Sequence, residues 1–191
     1  MAKIDSLEAL VREVREGSRI KYLHFWGHRP LPDGRIGASC LSQWWPSPFV
    51  VDDVPYATAE HWMMAEKARL FGDAEAERRA LSAGHPSEAK KAGRLVRDFD
   101  EAIWERERFR IVVEGSVHKF SADAALRDFL LATGDRVLVE ASPVDRVWGI
   151  GLAATDEAAQ DPQRWRGLNL LGFALMQARE RVAGGGSPAA L

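Results

Sequence analysis

The sequence is poor in cysteine, with Cys40 the only one in 191 residues. A single thiol excludes an internal disulfide and fits a reducing compartment, so a cytoplasmic location is expected. No residue near Cys40 in sequence offers a base, which argues against a cysteine nucleophile. One cysteine and five scattered histidines give no zinc-ligand spacing. No apolar run reaches the roughly eighteen residues of a membrane span. The opening Met1-Ala2-Lys3-Ile4-Asp5 lacks the apolar stretch of a secretion signal, so none is expected. Positive charge is not in excess either. A net charge of −2 argues against a generally basic nucleic-acid binder, while leaving room for a local basic pocket. No internal repeat is visible.

What is present is an ordinary globular composition, 46% hydrophobic and 28% charged. The length suits one domain with one sizeable core, expected over residues 1–183. A flexible tail is expected over 184–191, beginning Gly184-Gly185-Gly186-Ser187-Pro188. Seven tryptophans is a high count for this length. Several fall in turn-like segments where packing needs them less. Flat rings beside a cleft suit a flat heterocycle.

Helices dominate the pattern. Ser6 can cap a helix from about Leu7 to Glu16, stopped by Gly17. Ile20 to Trp26 reads as a strand, and 27–41 as a loop. Phe49 to Tyr56 reads as a short hairpin with Pro55 on an edge strand. Thr58 then caps a helix running to Phe71. Further helices are expected over Asp73–Ala83, Pro86–Arg97, Glu101–Lys119 (capped by Asp100) and Ala122–Ala132 (capped by Ser121). Arg136 to Glu140 alternates as a strand. Residues 142–167 are irregular, and Asn169 to Ala183 is a final helix.

The helix after Thr58 carries the most informative pattern. At about 100° per residue, Glu60, Met63, Met64, Lys67 and Phe71 share one side, with Trp62, Ala65, Glu66 and Arg69 across from them. A charge inside an apolar stripe costs several kcal/mol unless it is paired or used. Glu60 and Lys67 are two turns apart, roughly 10 Å along the axis, and cannot simply neutralise each other. A polar ligand between this helix and the rest of the fold would meet both. The plainer alternatives are an acid favoured by the helix N-terminus and a lysine snorkelling from a core edge.

Three other segments point the same way. Asp145-Arg146-Val147-Trp148-Gly149-Ile150-Gly151 sets an acceptor beside a flat ring, with glycines that permit close backbone approach. Its simpler reading is an Asx-turn followed by a packed Trp. Asn169, after Trp165-Arg166-Gly167-Leu168, either caps the last helix or presents its amide to a ligand. Lys90-Lys91-Ala92-Gly93-Arg94 is a solvated helix face or a phosphate contact.

In order along the chain, these pieces resemble the NADAR family, which includes YbiA-like N-glycosidases. The anchors are Phe25-Trp26, Leu41-Ser42-Gln43-Trp44, Tyr56-Ala57-Thr58-Ala59-Glu60-His61, Lys67-Ala68, Ala92-Gly93-Arg94, Trp104, Asp145, Trp148-Gly149-Ile150-Gly151 and Asn169-Leu170-Leu171-Gly172. They cover about residues 20–182. The chain departs from some members at Gln43, Met64 and Ile150. The resemblance implies a mostly helical α+β fold with a few short strands, and hydrolysis of an N-glycosidic bond. It implies two substrate classes, phosphoribosylamino-pyrimidines of riboflavin synthesis or an ADP-ribosyl group on a guanine base. The partner would be a small phosphorylated ribosyl compound or an ADP-ribosylated nucleic acid. Glu60 falls on the family's catalytic acid, and Asp145 is a ribose or water contact. Trp104 and Trp148 would wall the heterocycle, with Trp26 and Gly149 beside them. Lys67, Lys90 and Arg94 would take the phosphate end, and Asn169 the ribose or base. No metal or redox cofactor is required. A non-catalytic ADP-ribose or nucleotide-binding module would keep Trp148 and the basic residues without needing Glu60 as a catalyst.

Overall fold

The computed structural model of the chain describes residues 3–185, so the expected tail lies outside the described residues beyond Gly185. In chain order the elements are α1 (Leu7–Arg15), β1 (Tyr22–Phe25), β2 (Phe49–Val51), β3 (Val54–Tyr56), α2 (Ala59–Leu70) and α3 (Ala74–Leu81). They continue with α4 (Pro86–Arg94), α5 (Glu101–Ala122), α6 (Ala124–Ala132), β4 (Val137–Glu140) and α7 (Leu170–Ala183). This is the mostly helical α+β architecture the sequence predicts. Short 3-10 turns interrupt the two expected loops, at Ala38–Leu41, Glu157–Gln160 and Pro162–Arg164.

Side-chain oxygens set most helix starts, as the sequence pattern implies. Ser6, Thr58 and Asp100 each accept from the backbone N–H three residues on. Two expected boundaries are corrected. Asp123, not Ser121, caps α6; its carboxylate accepts from Leu126 N at 3.0 Å, and Ser121 lies inside α5. α4 ends at Arg94 because Arg97 is drawn elsewhere. Its backbone N–H and its guanidinium both donate to the Asp73 carboxylate, tying the end of this segment to the start of α3.

β1 and β4 run parallel, from Tyr22 opposite Val137 to Phe25 opposite Glu140. β2 and β3 form the expected hairpin. Its turn residues Asp52 and Asp53 both have positive φ, 49° and 63°, as a tight two-residue hairpin demands.

α2 is the central element, packed against α3, α4 and α5. Trp62 and Ala65, across the helix from Glu60, are buried as well. The Trp62 indole N–H donates to the Ile111 carbonyl at 2.9 Å, so the far side of α2 is stitched to α5. α7 covers α5 and β4 from the other direction.

Asn169 stands at the N-cap position of α7, but its side chain does not cap the helix. Its backbone is left-handed, φ 55°. The amide reaches back to β4 instead, with Oδ1 accepting from Glu140 N and Nδ2 donating to Leu138 O, both at 2.9 Å. It is fully buried. Both ends of its amide are used within the fold, which removes Asn169 from the ligand contacts expected of it.

Candidate active site

One cavity lies between one face of α2, the second half of α4 and the end of β4. Its space is about 700 Å³, counting the open mouth. α2 contributes Glu60, Met63, Met64 and Lys67, the face that the helical spacing predicts. α4 contributes Lys90, Gly93 and Arg94. Trp104 comes from α5, and Asp145 and Trp148 from the loop after β4. The structure therefore brings together seven of the ten residues expected at the site.

The other three are corrected. Trp26 is 61% exposed and does not line the cavity, because the chain leaves β1 at Phe25 and turns outward. Gly149 is buried behind the wall. A Cβ there would stand 2.8 Å from Glu140 O and 3.1 Å from Asp145 O, so the close approach its lack of side chain permits is to its own loop. Asn169 is committed to β4 as described. Phe71, expected on the Glu60 side of α2, does not line the cavity and packs instead against Phe99.

Glu60 sits at the second position of α2, where the helix N-terminus favours a negative charge. Burial outweighs that preference. The residue is 3% exposed, and its Oε1 has no hydrogen-bond partner. Desolvation pushes its pKa up to about 7, with the Asp145 charge adding to the rise. Lys90, the Trp44 side chain and Arg94 pull in the opposite direction. A carboxyl poised near neutrality can take or give a proton. His61, its neighbour, has no such freedom. Nε2 donates to Ala83 O at 3.1 Å, so Nδ1 accepts from the Thr58 hydroxyl at 2.8 Å.

Asp145 fulfils its simpler reading first. Its Oδ1 accepts from Val147 N at 2.9 Å and Trp148 N at 2.8 Å, an Asx-turn that presents Trp148 to the cavity. Lys67 lies over two rings, 4.1 Å from the Phe99 centroid and 5.2 Å from that of Trp104. Burial lowers its pKa. Lys67, Lys90 and Arg94 enter no ion pair among the described residues. Gly93 lines the cavity, but its missing side chain serves helix packing. A Cβ there would stand 2.0 Å from Met64 Sδ, so the space is filled by that thioether.

Sequence reasoning missed Ser42, Gln43, Trp44, Glu140 and Leu171 as site members, and Gln43, Trp44 and Glu140 carry polar or ring chemistry. Gln43 is buried, and neither its Oε1 nor its Nε2 has a partner. Trp44 adds a third indole to the wall. Glu140, the last residue of β4, lines the floor with its Oε2 buried and unpartnered. Desolvation first, then the charges of Asp145 and Glu60, push its pKa up to about 8. The segment bearing Gln43 and Trp44 is held from behind by Lys119. This fully buried amine donates to Cys40 O at 2.6 Å and Ser42 O at 2.7 Å. Burial lowers its pKa to about 7.

Comparison with known proteins places the chain in a family. The NADAR domain family model matches residues 24–183. The chain belongs to the NADAR family. Among NADAR relatives, "N-glycosidase R617" of Acanthamoeba polyphaga mimivirus is 39% identical over 165 residues, 84% of this chain and 95% of that one. "N-glycosidase YbiA" of Escherichia coli is 30% identical over 136 residues, 71% of this chain and 76% of the relative. The solution structure of E. coli YbiA superposes with a TM-score of 0.68 at 25% identity, covering 88% of each chain. "Riboflavin biosynthesis protein PYRR, chloroplastic" of Zea mays is 32% identical over 140 residues, 70% of this chain but 21% of that longer protein. Of the three positions expected to depart from some members, Gln43 and Met64 line the cavity, whereas Ile150 is fully buried outside it.

Proposed function

We propose that this protein is an N-glycosidase that hydrolyses the bond between a phosphorylated ribosyl group and a nitrogen heterocycle. The observation that carries this reading is Glu60, a buried carboxyl with an unpartnered oxygen facing a cavity walled by Trp44, Trp104 and Trp148. The names of the relatives R617 and YbiA support it. The ring-lined side suits a flat heterocycle, and Lys90 and Arg94 offer uncommitted cations to a phosphate.

In this reading the anomeric carbon becomes cationic as its bond to nitrogen lengthens. The Glu60 carboxylate stabilises that charge and takes a proton from the attacking water. Trp104 and Trp148 hold the heterocycle, and Lys67, Lys90 and Arg94 the phosphate end. The substrate is a phosphoribosylamino-pyrimidine of riboflavin synthesis or an ADP-ribosyl group on a guanine base. The naming of the maize relative favours the first. The test is to incubate the pure protein with both classes and measure freed ribose 5-phosphate or ADP-ribose. Glu60→Gln should lower turnover at least about a hundredfold, the scale of a positioned acid–base group. If the variant turns over a confirmed substrate at the wild-type rate, Glu60 is not the catalyst. If neither substrate class releases product while ADP-ribose binds, the protein is a binding module.

A further inference from the structure

The cavity holds a second carboxyl, half-buried with one oxygen enclosed, on a main chain that the fold fixes. The Glu140 backbone N–H donates to Asn169 Oδ1 at 2.9 Å, and its carbonyl accepts from Ile150 N at 2.9 Å. β1 pairs with it through Phe25. The main chain on both sides of this side chain is thus held by strand, loop and helix. The carboxyl itself has no such support, since its buried Oε2 finds no partner. A buried polar atom left without a partner costs stability, and a ligand that supplies one restores it.

The charged groups facing Glu140 come from three elements: Glu60 on α2, Lys90 on α4 and Asp145 in the loop after β4. Three carboxyls around one cavity cannot all ionise cheaply. Asp145 is engaged by two backbone N–H groups, and Glu60 faces both Lys90 and Arg94. Glu140 is left with one cation, Lys90, set against two acids. It is the group that keeps its proton.

We propose that Glu140 is a second catalytic carboxyl, the general acid that protonates the leaving nitrogen while Glu60 accepts the proton of the attacking water. This rests on the N-glycosidase reading. The C–N bond breaks and its electron pair goes to nitrogen, which takes the proton from the Glu140 carboxyl. Water oxygen bonds to the anomeric carbon, and its lost proton goes to the Glu60 carboxylate. One water is consumed. The next cycle needs only the transfer of that proton from Glu60 to Glu140, directly or through solvent.

The experiment is a pH–rate profile from pH 5 to 10 for the wild type, Glu140→Gln and Glu140→Asp, with thermal melts of each. In the wild type, kcat/KM should fall as pH rises through about 8, where Glu140 loses its proton. Glu140→Gln should fold, lose roughly 10²–10⁴-fold in kcat/KM and lose that alkaline limb. Glu140→Asp should keep the limb at a reduced rate. A purely structural role would lower the melting temperature without altering the profile's shape, and that result overturns the proposal. So does an unchanged alkaline limb in any folded Glu140→Gln, or its absence from both the wild type and Glu140→Asp. A wild type that frees no ribosyl product overturns the N-glycosidase reading itself, and the proposal with it.

Discussion

Replacing Glu60 by Gln should stabilise the protein at alkaline pH while removing its activity. Burial raises the Glu60 pKa from 4.5 to about 7, so the folded chain holds this proton more tightly than the unfolded chain. The favourable contribution is complete below pH 4.5 and is lost as pH rises through about 7. A tenfold difference in proton affinity between the folded and unfolded chain corresponds to about 1.4 kcal/mol, so ionising Glu60 in the folded state costs about 3 kcal/mol by pH 8. At pH 5 most of that cost has not yet appeared. Gln has no such titration. The difference in melting temperature, variant minus wild type, should therefore rise by roughly 5–10 °C between pH 5 and pH 8, at about 2–4 °C per kcal/mol for a chain of this size. Comparing the two pH values cancels any constant effect of burying an amide in place of a carboxyl. Calorimetric melts of both proteins at both pH values provide the measurement. A difference that stays the same at pH 5 and pH 8 would refute the idea that Glu60 is ionised against its burial.

Other outcomes are expected. Trp148→Ala should weaken ligand binding by roughly 1–3 kcal/mol if the ring stacks on the heterocycle; titration beside melts would remove Trp148 from the site if stability drops and affinity does not. Ribose 5-phosphate or ADP-ribose should bind where free ribose does not, and neutralising Lys67 should narrow the gap. Calorimetry showing equal affinity for ribose and ribose 5-phosphate would make the basic residues a solvated face only. Asn169→Ala should destabilise the fold by about 2–4 kcal/mol, since the Glu140 N–H and the Leu138 carbonyl both lose a buried partner. A denaturant midpoint close to the wild-type value would show that water replaces the amide.

Much of the site was legible because it lies on one helix. Glu60, Met63, Met64 and Lys67 share a face of α2 by spacing alone, and Thr58 marks where that helix starts. Lys90 and Arg94 stood out as part of one short basic run on α4, and both line the cavity. What stayed hidden depends on contacts between distant segments. Nothing in the alternation of Arg136 to Glu140 tells which end of the strand meets a cavity; the parallel pairing with β1 decides it. Gln43 precedes the helix in a loop with no periodicity, and a clamp from Lys119, far away in sequence, sets its place. Asn169 carries the signature of a helix cap and is used instead to fasten a strand, because its left-handed backbone turns the amide toward β4. Gly149 read as an opening for a ligand, and that opening is filled by the protein's own atoms.

The contact between Met64 and Gly93 joins two positions into one unit of sequence change. α2 and α4 approach at this point only because residue 93 has no side chain, and Met64 Sδ occupies the room a Cβ would need. Alanine at 93 alone would push the helices apart or drive the thioether into the cavity. A shorter residue at 64 alone would leave a gap in the floor. Made together, the two exchanges preserve the helix spacing and reshape the space available to a ligand. Divergence in what this cavity accepts therefore has a route through paired substitutions in its wall, with Glu60 and Glu140 left in place.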